Sequence, residues 1–399
     1  MGALGILAFA LAIAASIALH EAGHMFTARA FGMRVRRYFI GFGPTVWSTT
    51  KGHTEYGLAA LPFGGFCDIA GMTAMDPLTP EEEPHAMVNK PAWQRIAVLA
   101  GGIVMNLLIG VVITYFVAVL SGIPNPDADF TPRVGKTVCV ADQVDTDTLG
   151  ECSGAGPAGE AGVQVGDTLV ALDGQEMEQF GQLRDAVAKQ PGETVRLEVL
   201  RGGETVTLDV PVAEVERIDP ATGERVTQGA VGIVSADAVK QYGPAEAVPA
   251  TFRFTGQMLR ATVDGIASFP AKIPGVVASI FGAERDIEGP VSVIGASRTG
   301  GELVEQDMWS AFWMMLASLN FFLALFNLVP LPPLDGGHIA VVLYEKIRDA
   351  LRRLRGLGPG APANYDKLMP LTYVMAALLL GVGVLVMAAD VVNPVRIFG

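Results

Sequence analysis

One stretch limits what this chain can fold into more than any other. An uncharged apolar run from Gly2 to Leu19 leads without a break into His20-Glu21-Ala22-Gly23-His24. A run of that length belongs in a lipid bilayer, and three ionisable side chains are costly there, which marks them as functional. On a helix, residues four apart lie on one face, so His20 and His24 can offer two imidazoles to one metal ion. Glu21 follows the first imidazole, where it can take a proton from a metal-bound water. Only Met-Gly precedes the run, with no basic leader and no small-residue cleavage signature. It therefore reads as a retained helix and not as a removed signal. A third ligand must come from elsewhere in the chain.

Half of the 399 residues are hydrophobic, which excludes disorder and points to several membrane spans. Four stretches are apolar and long enough: 2–28, 96–120, 309–331 and 370–390. The net charge of −13 argues against nucleic acid as a partner. That charge is unevenly spread, since residues 121–308 hold 29 acidic against 14 basic side chains, a balance of −15. Arg29, Arg34, Arg36 and Arg37 follow the first span, and Lys346, Arg348, Arg352, Arg353 and Arg355 cluster late. Short positive loops stay in the cytoplasm. The expectation is a multi-pass protein of the plasma (inner) membrane. Both termini and the acidic segment lie outside, and His20, Glu21 and His24 lie toward the cytoplasmic end of span one.

The fold class expected is a polytopic α-helical membrane protein with a membrane-associated β-loop and an inserted α+β domain. Residues 1–32 are the first span. Residues 33–93 form a glycine-rich sheet, with alternation at Val35, Tyr38 and Ile40 and turns at Gly41, Gly43, Gly52 and Gly64-Gly65. Within that segment 73–90 reads as a solvated loop. Residues 94–121 are the second span, whose Asn106 is a lone amide in hydrocarbon and reads as an interhelical bond more than as a catalytic group. Residues 125–235 have the size of a domain that folds alone, with strands at 168–172, 194–200 and 206–210 and a helix at 178–188. Cys139 and Cys152 fall here on the oxidising side, which allows a disulfide; two buried thiols are the alternative, and Cys67 is expected free. Residues 236–308 read as an amphipathic helical linker broken by Pro249, Pro270 and Pro274, followed by Gly289-Pro290-Val291. The linker either lies on the membrane surface or packs on the preceding domain. Residues 309–338 are the third span, 339–369 a basic cytoplasmic loop and 370–391 the fourth span. His53, His85 and His338 read as surface histidines.

The third span ends in Asn327-Leu-Val-Pro330-Leu-Pro332-Pro333-Leu-Asp335-Gly336-Gly337. Three prolines in four positions forbid regular helix, and bare backbone at membrane depth is tolerated only inside protein or beside a wet cavity. Asp335 sits at the depth of the two histidines and completes a three-ligand set that leaves a fourth position open. A salt bridge to the following basic loop is the bland alternative. Two histidines and a carboxylate suit zinc.

HEAGH in a first span and NLVPLPPLDGG in a later one resemble the paired signatures of the site-2 proteases, which are zinc intramembrane metalloproteases. GFGP at 41–44 and LPFGGF at 61–66 are similar to that family's membrane-associated β-loop, GPAGEAGVQVGDTLVALDG at 156–174 to the core of a PDZ domain, and GGIVMN at 101–106 to the second-span motif. The resemblance covers nearly the whole chain and is nearest to bacterial members with one PDZ domain that cleave anti-sigma factors. It implies one zinc per chain on His20, His24 and Asp335, with Glu21 as general base. It also implies a role at the substrate or oxyanion for Asn327 and, from the β-loop, for Gly64 and Gly65. The implied substrate is a single-span anti-sigma factor already trimmed by an upstream site-1-type protease. Two rival classes are a catalytically silent membrane receptor with a PDZ-like domain and a metal transporter. Three buried metal ligands argue against the first, and the lack of repeated halves against the second.

Overall fold

The computed structural model describes residues 2–395 except 74, 126–131, 146–147, 151, 219–224, 237–238, 284, 287–288, 359 and 362. Uninterrupted apolar sequence carries helix α1 over Gly2–Ala30, and a glycine at +67° in φ, Gly32, turns the chain out of it. Two long strands follow, β1 (Val35–Lys51) and β2 (Thr54–Ile69), then two single 3-10 turns and helix α2 (Ala92–Leu120). Next come β3 (Ile123–Pro124), β4 (Val134–Thr137), β5 (Gln143–Asp145), β6 (Thr148–Leu149) and the short helix α3 (Gly156–Glu160). The chain continues through β7 (Thr168–Leu172), β8 (Gln175–Glu176), α4 (Phe180–Val187), β9 (Thr194–Arg201) and β10 (Glu204–Pro211). Strands β11 (Ala213–Ile218), β12 (Arg225–Ala230), β13 (Ile233–Ser235) and β14 (Val239–Lys240) close this part. Five helices complete the chain: α5 (Pro244–Ile280), α6 (Val293–Glu305), α7 (Trp309–Leu328), α8 (Asp335–Leu354) and α9 (Met369–Val392). Among the described residues four helices, α1, α2, α7 and α9, are long and apolar enough to cross a membrane.

The chain divides into two units, residues 2–116 with 251–395 and residues 117–250. In the second, β10-β9-β7-β8 form a four-stranded antiparallel sheet. Alternation along β9 buries Val195, Leu197 and Val199, which pack with Leu169, Leu183 and Val210. Asp167 is buried beneath the sheet and paired with Arg201 at 2.7 Å, which holds its carboxyl below the ordinary value. Cys139 and Cys152 form a disulfide with Cα atoms 5.8 Å apart.

In the first unit β1 and β2 double back on themselves. Residues 45–51 pair antiparallel with 54–59, and 35–42 pair antiparallel with 61–69. Arg37 to Ile40 also lie beside Glu55 to Leu58 with both numbers rising together. The result is a four-segment sheet whose outer segments are 45–51 and 61–69. Tyr38 ties it to the metal-motif helix by donating to the Ala18 carbonyl at 2.6 Å.

Four features depart from the sequence reading. Helix α5 runs unbroken through Pro249, Pro270 and Pro274. All three sit on its exposed side, where the carbonyls they leave unpaired can turn outward. Helix α6 was not foreseen; Gly300 and Gly301 let it press directly onto Phe9 and Ile6 of α1. The start of the basic segment 339–369, expected to be a loop, belongs to helix α8, which opens at Asp335 and runs to Leu354. Finally, 73–90 is exposed over much of its length, as expected, but is pinned to the sheet at two carboxylates. Arg36 gathers Glu82 at 2.7 Å and Asp76 at 3.0 Å, and Met87 is buried next to it in the core. The carboxylates neutralise a half-buried guanidinium, so a polar stretch becomes a packed one.

The Arg36 guanidinium holds the Glu82 carboxyl down to about 2 from an ordinary 4.5. The pair therefore stabilises in full above pH 4.5 and loses its contribution as pH falls through about 2. Arg36→Ala should destabilise the first unit by about 1–3 kcal/mol at neutral pH, because two partly buried carboxylates lose their partner. Thermal unfolding of wild type and variant should show a gap at pH 7 that narrows at pH 3.

Candidate metal centre

The centre exists because two helices can touch backbone to backbone. A methyl on Gly23 of α1 would lie 2.3 Å from the Gly101 carbonyl of α2, and one on Gly101 would lie 2.6 Å from the Gly23 carbonyl. Only glycine permits that approach. It brings Val98, Gly102 and Asn106, which share one face of α2 at spacings of four, against the two histidines. The Nδ1 of His24 is 2.8 Å from the Val98 carbonyl, so it carries the proton and leaves Nε2 as a free donor pair. The Nδ1 of His20 lies 3.0 Å from the Asn106 side-chain amide. The amide atom placed there is Asn106 Nδ2, and its Oδ1 is buried without a partner among the described residues; exchanging the two would let Oδ1 accept the Nδ1 proton that ligation through Nε2 requires. The Val98 carbonyl fixes the His24 ring in the tautomer a metal requires.

Asp335 arrives by the break between α7 and α8. Pro330, Pro332 and Pro333 prevent helix, and the chain folds back so tightly that a methyl on Gly336 would meet the Leu328 and Val329 carbonyls at 2.4 Å. One on Gly337 would meet the Pro332 nitrogen at 2.6 Å. The two glycines thus seat Asp335 in the first turn of α8, where a helix N-terminus favours a carboxylate.

His20 Nε2, His24 Nε2 and Asp335 Oδ2 form a triangle with sides of 3.2, 3.3 and 3.4 Å. Three donors at zinc bonding distance around a tetrahedral ion stand about 3.3 Å apart. The buried Asp335 Oδ2 has no hydrogen-bond partner among the described residues, as an oxygen reserved for a cation would not. Opposite, a methyl on Gly102 would lie 2.4 Å from His24 Nε2 and 2.6 Å from His20 Nε2. Glycine leaves that space for an ion. By donor chemistry, spacing and room, these residues fit zinc.

Glu21 is half-buried beside the triangle, and the backbone amide of Cys67 faces its carboxylate. Gly65 brings the outer segment 61–69 against it, since a methyl there would lie 3.2 Å from Glu21 Cγ. Gly64 adopts φ of +82° and yields its space to Phe42 instead. Burial pushes the Cys67 thiol up to about 12, so it stays protonated and does not compete as a nucleophile. Asn327 lies half-buried in the last turn of α7, and no described contact joins it to the triangle. His338 is not a surface residue: it is half-buried, stacked on Tyr365, and burial lowers its pKa. His53 and His85 are exposed.

Sequence reasoning read Gly101-Gly102 as a place of close helix approach but missed that Val98 and Gly102 face the histidines, and missed the bond from Asn320 to Ser16 at 3.0 Å that joins α7 to α1. For the first two a signal existed, in the four-residue spacing that ends on Asn106. Nothing local marked Asn320.

The description "Peptidase family M50" matches residues 8–357. Zinc metalloprotease Rip1 of Mycolicibacterium smegmatis is 49% identical over 405 residues, which cover 100% of both chains. The protein of the same name from Mycobacterium tuberculosis strain H37Rv is 44% identical over 99% of this chain and 98% of its own. The regulator of sigma-E protease RseP of Salmonella typhimurium is 27% identical over 86% and 90%. A solved PDZ domain from Listeria monocytogenes covers 26% of this chain and 90% of its own at 17% identity, and its TM-score of 0.16 says nothing about fold. A match across 350 residues and near-half identity to a full-length relative leave one assignment: the chain belongs to peptidase family M50, the site-2 proteases, and is a zinc metalloprotease.

Proposed function

We propose that this protein is an intramembrane endopeptidase that cuts a peptide bond within the transmembrane helix of a single-span substrate. The observation that carries the reading is the triangle of His20, His24 and Asp335, with Glu21 beside it at the end of an apolar helix. These three residues would hold one zinc per chain. When bound, zinc supplies Lewis acidity, acidifying a water and polarising a carbonyl. Glu21 takes the proton of the attacking water and returns it to the leaving amine. Val98 acts as a positioning group that keeps His24 deprotonated at Nε2, and Asn106, with its amide turned to present Oδ1, does the same for His20.

A substrate helix hides its carbonyls in its own hydrogen bonds, so it must open before it can be cut. Among the described residues no strand covers the outer side of segment 61–69 next to Glu21, and a substrate added there as a strand keeps its backbone satisfied while one bond is exposed. Gly64 and Gly65 lie on that edge, and Asn327 is the remaining polar group for the substrate or oxyanion. In the expected topology the termini and the PDZ-like 125–235 domain lie outside, and the basic segments lie in the cytoplasm. The substrate is an anti-sigma factor shortened first by a site-1-type protease. The outer domain excludes longer forms.

The test is cleavage of a membrane-anchored anti-sigma-type substrate by the purified full chain. Glu21→Gln keeps shape and ligands, so it should retain zinc and lose activity by about 10²-fold or more. Asp335→Asn should lose zinc and activity together. Equal cleavage by Glu21→Gln would sink the role of Glu21. Absent cleavage with no retained zinc would move the weight to a silent receptor. For the positioning role, Asn106→Leu should weaken zinc affinity about 10–100-fold in chelator competition while the fold stays intact. Unchanged affinity would reduce Asn106 to a packing residue.

A further inference from the structure

Helix α8 has two unlike faces, and the metal site uses only its first turn. Its inner face is occupied. Val342 is buried in the core, Glu345 pairs with Arg95 of α2 at 2.9 Å, and the return segment donates from Ala363 to Glu345 and from Gly360 to Asp349. Its outer face carries Leu343, Tyr344, Ile347, Leu351 and Leu354, all between 46% and 85% exposed. At 3.6 residues per turn these five fall in one arc of about 100°. Lys346 and Arg353 flank the arc on one side and Arg355 on the other, each exposed and without an ion-pair partner among the described residues. The helix has two acidic residues beyond Asp335, Glu345 and Asp349, and both are spent on the inner face.

We propose that α8 is an in-plane membrane anchor whose outer face enters an anionic lipid leaflet. Five basic residues in the helix and its cap prevent it from spanning. An apolar arc edged by lysine and arginine, with no carboxylate beside it, suits the boundary between acyl chains and phosphate headgroups. The bilayer is adjacent because α8 begins seven residues after the end of α7, one of the four helices apolar enough to cross. A protein partner would have to match an apolar strip fenced by cations on both sides, whereas an anionic leaflet does so over any length. Since Asp335 opens the same helix, lipid contact along α8 sets the depth of that carboxylate.

The experiment uses the full chain with Cys67→Ser, spin-labelled at Ile347→Cys or Leu351→Cys, in nanodiscs of phosphatidylcholine with or without phosphatidylglycerol. Collision with oxygen reports lipid, and collision with a nickel chelate reports water. Oxygen should dominate at both positions, more so with phosphatidylglycerol. The triple variant K346E/R353E/R355E should shift the balance toward nickel while its thermal unfolding stays unchanged. Nickel dominance in both discs would place α8 in water. Exclusion of both reagents would mean that protein covers the face. Oxygen dominance indifferent to phosphatidylglycerol and to the triple variant would remove the anionic headgroups. Each of these three overturns the proposal.

Discussion

The structure depends on one expense: two imidazoles and two carboxylates held together in apolar surroundings. Isolated, each would favour water strongly, and burying them is tolerable only when each finds an opposite charge, a hydrogen bond or a metal. That requirement explains why three helices converge on one point. Helix α1 supplies His20, Glu21 and His24, α2 supplies the Val98 carbonyl and the Asn106 amide, and α8 supplies Asp335. Remove any one and a polar group is stranded.

Convergence of that kind is limited by bulk, and glycine is how this chain removes bulk. Gly23 and Gly101 let α1 and α2 meet at the backbone, Gly102 empties the space beside both Nε2 atoms, and Gly336 and Gly337 let the proline-rich turn fold back on itself. Gly65 does the same for the sheet edge at Glu21. In each case a single methyl would collide with backbone or ligand, which cannot move away. The polar residues do the chemistry, but the glycines decide whether those residues can share a volume as small as one ion.

Much of this is legible in the chain and some is not, for a physical reason. His20 and His24 are readable because a helical period alone puts them together, and Asp335 because prolines declare an unwound backbone at the end of an apolar run. The sheet at 35–69 shows itself in alternation and turns. What is hidden depends on which helix lies against which. Asn106 reads as a lone amide until α2 is set on α1, and then it orients His20. Asn320 finds Ser16 across 304 residues. Glu82 and His338 look solvated because polarity was taken for exposure. Arg36 and Tyr365 are the partners that make them interior. Helix α5 survives its three prolines because all of them face outward, and no local rule states which way a helix will turn.

A peptide-bond hydrolase in a bilayer faces a further difficulty, that its substrate's backbone must become bare where water is scarce. The chain meets this with bare backbone of its own. Among the described residues no strand pairs with the outer side of segment 61–69 beside Glu21, and the turn at 329–334 breaks the helical ladder between α7 and α8. Bare backbone at membrane depth is tolerated only inside protein or beside a wet cavity, and segment 61–69 lies against Glu21 next to the ion-sized gap. An opened substrate strand has the same need as these two segments, donors and acceptors in want of partners. In the proposed reading the edge and the opened strand satisfy each other at the place where the cut is made. In that reading, the unfolding that would be prohibitive elsewhere in the membrane is coupled to binding.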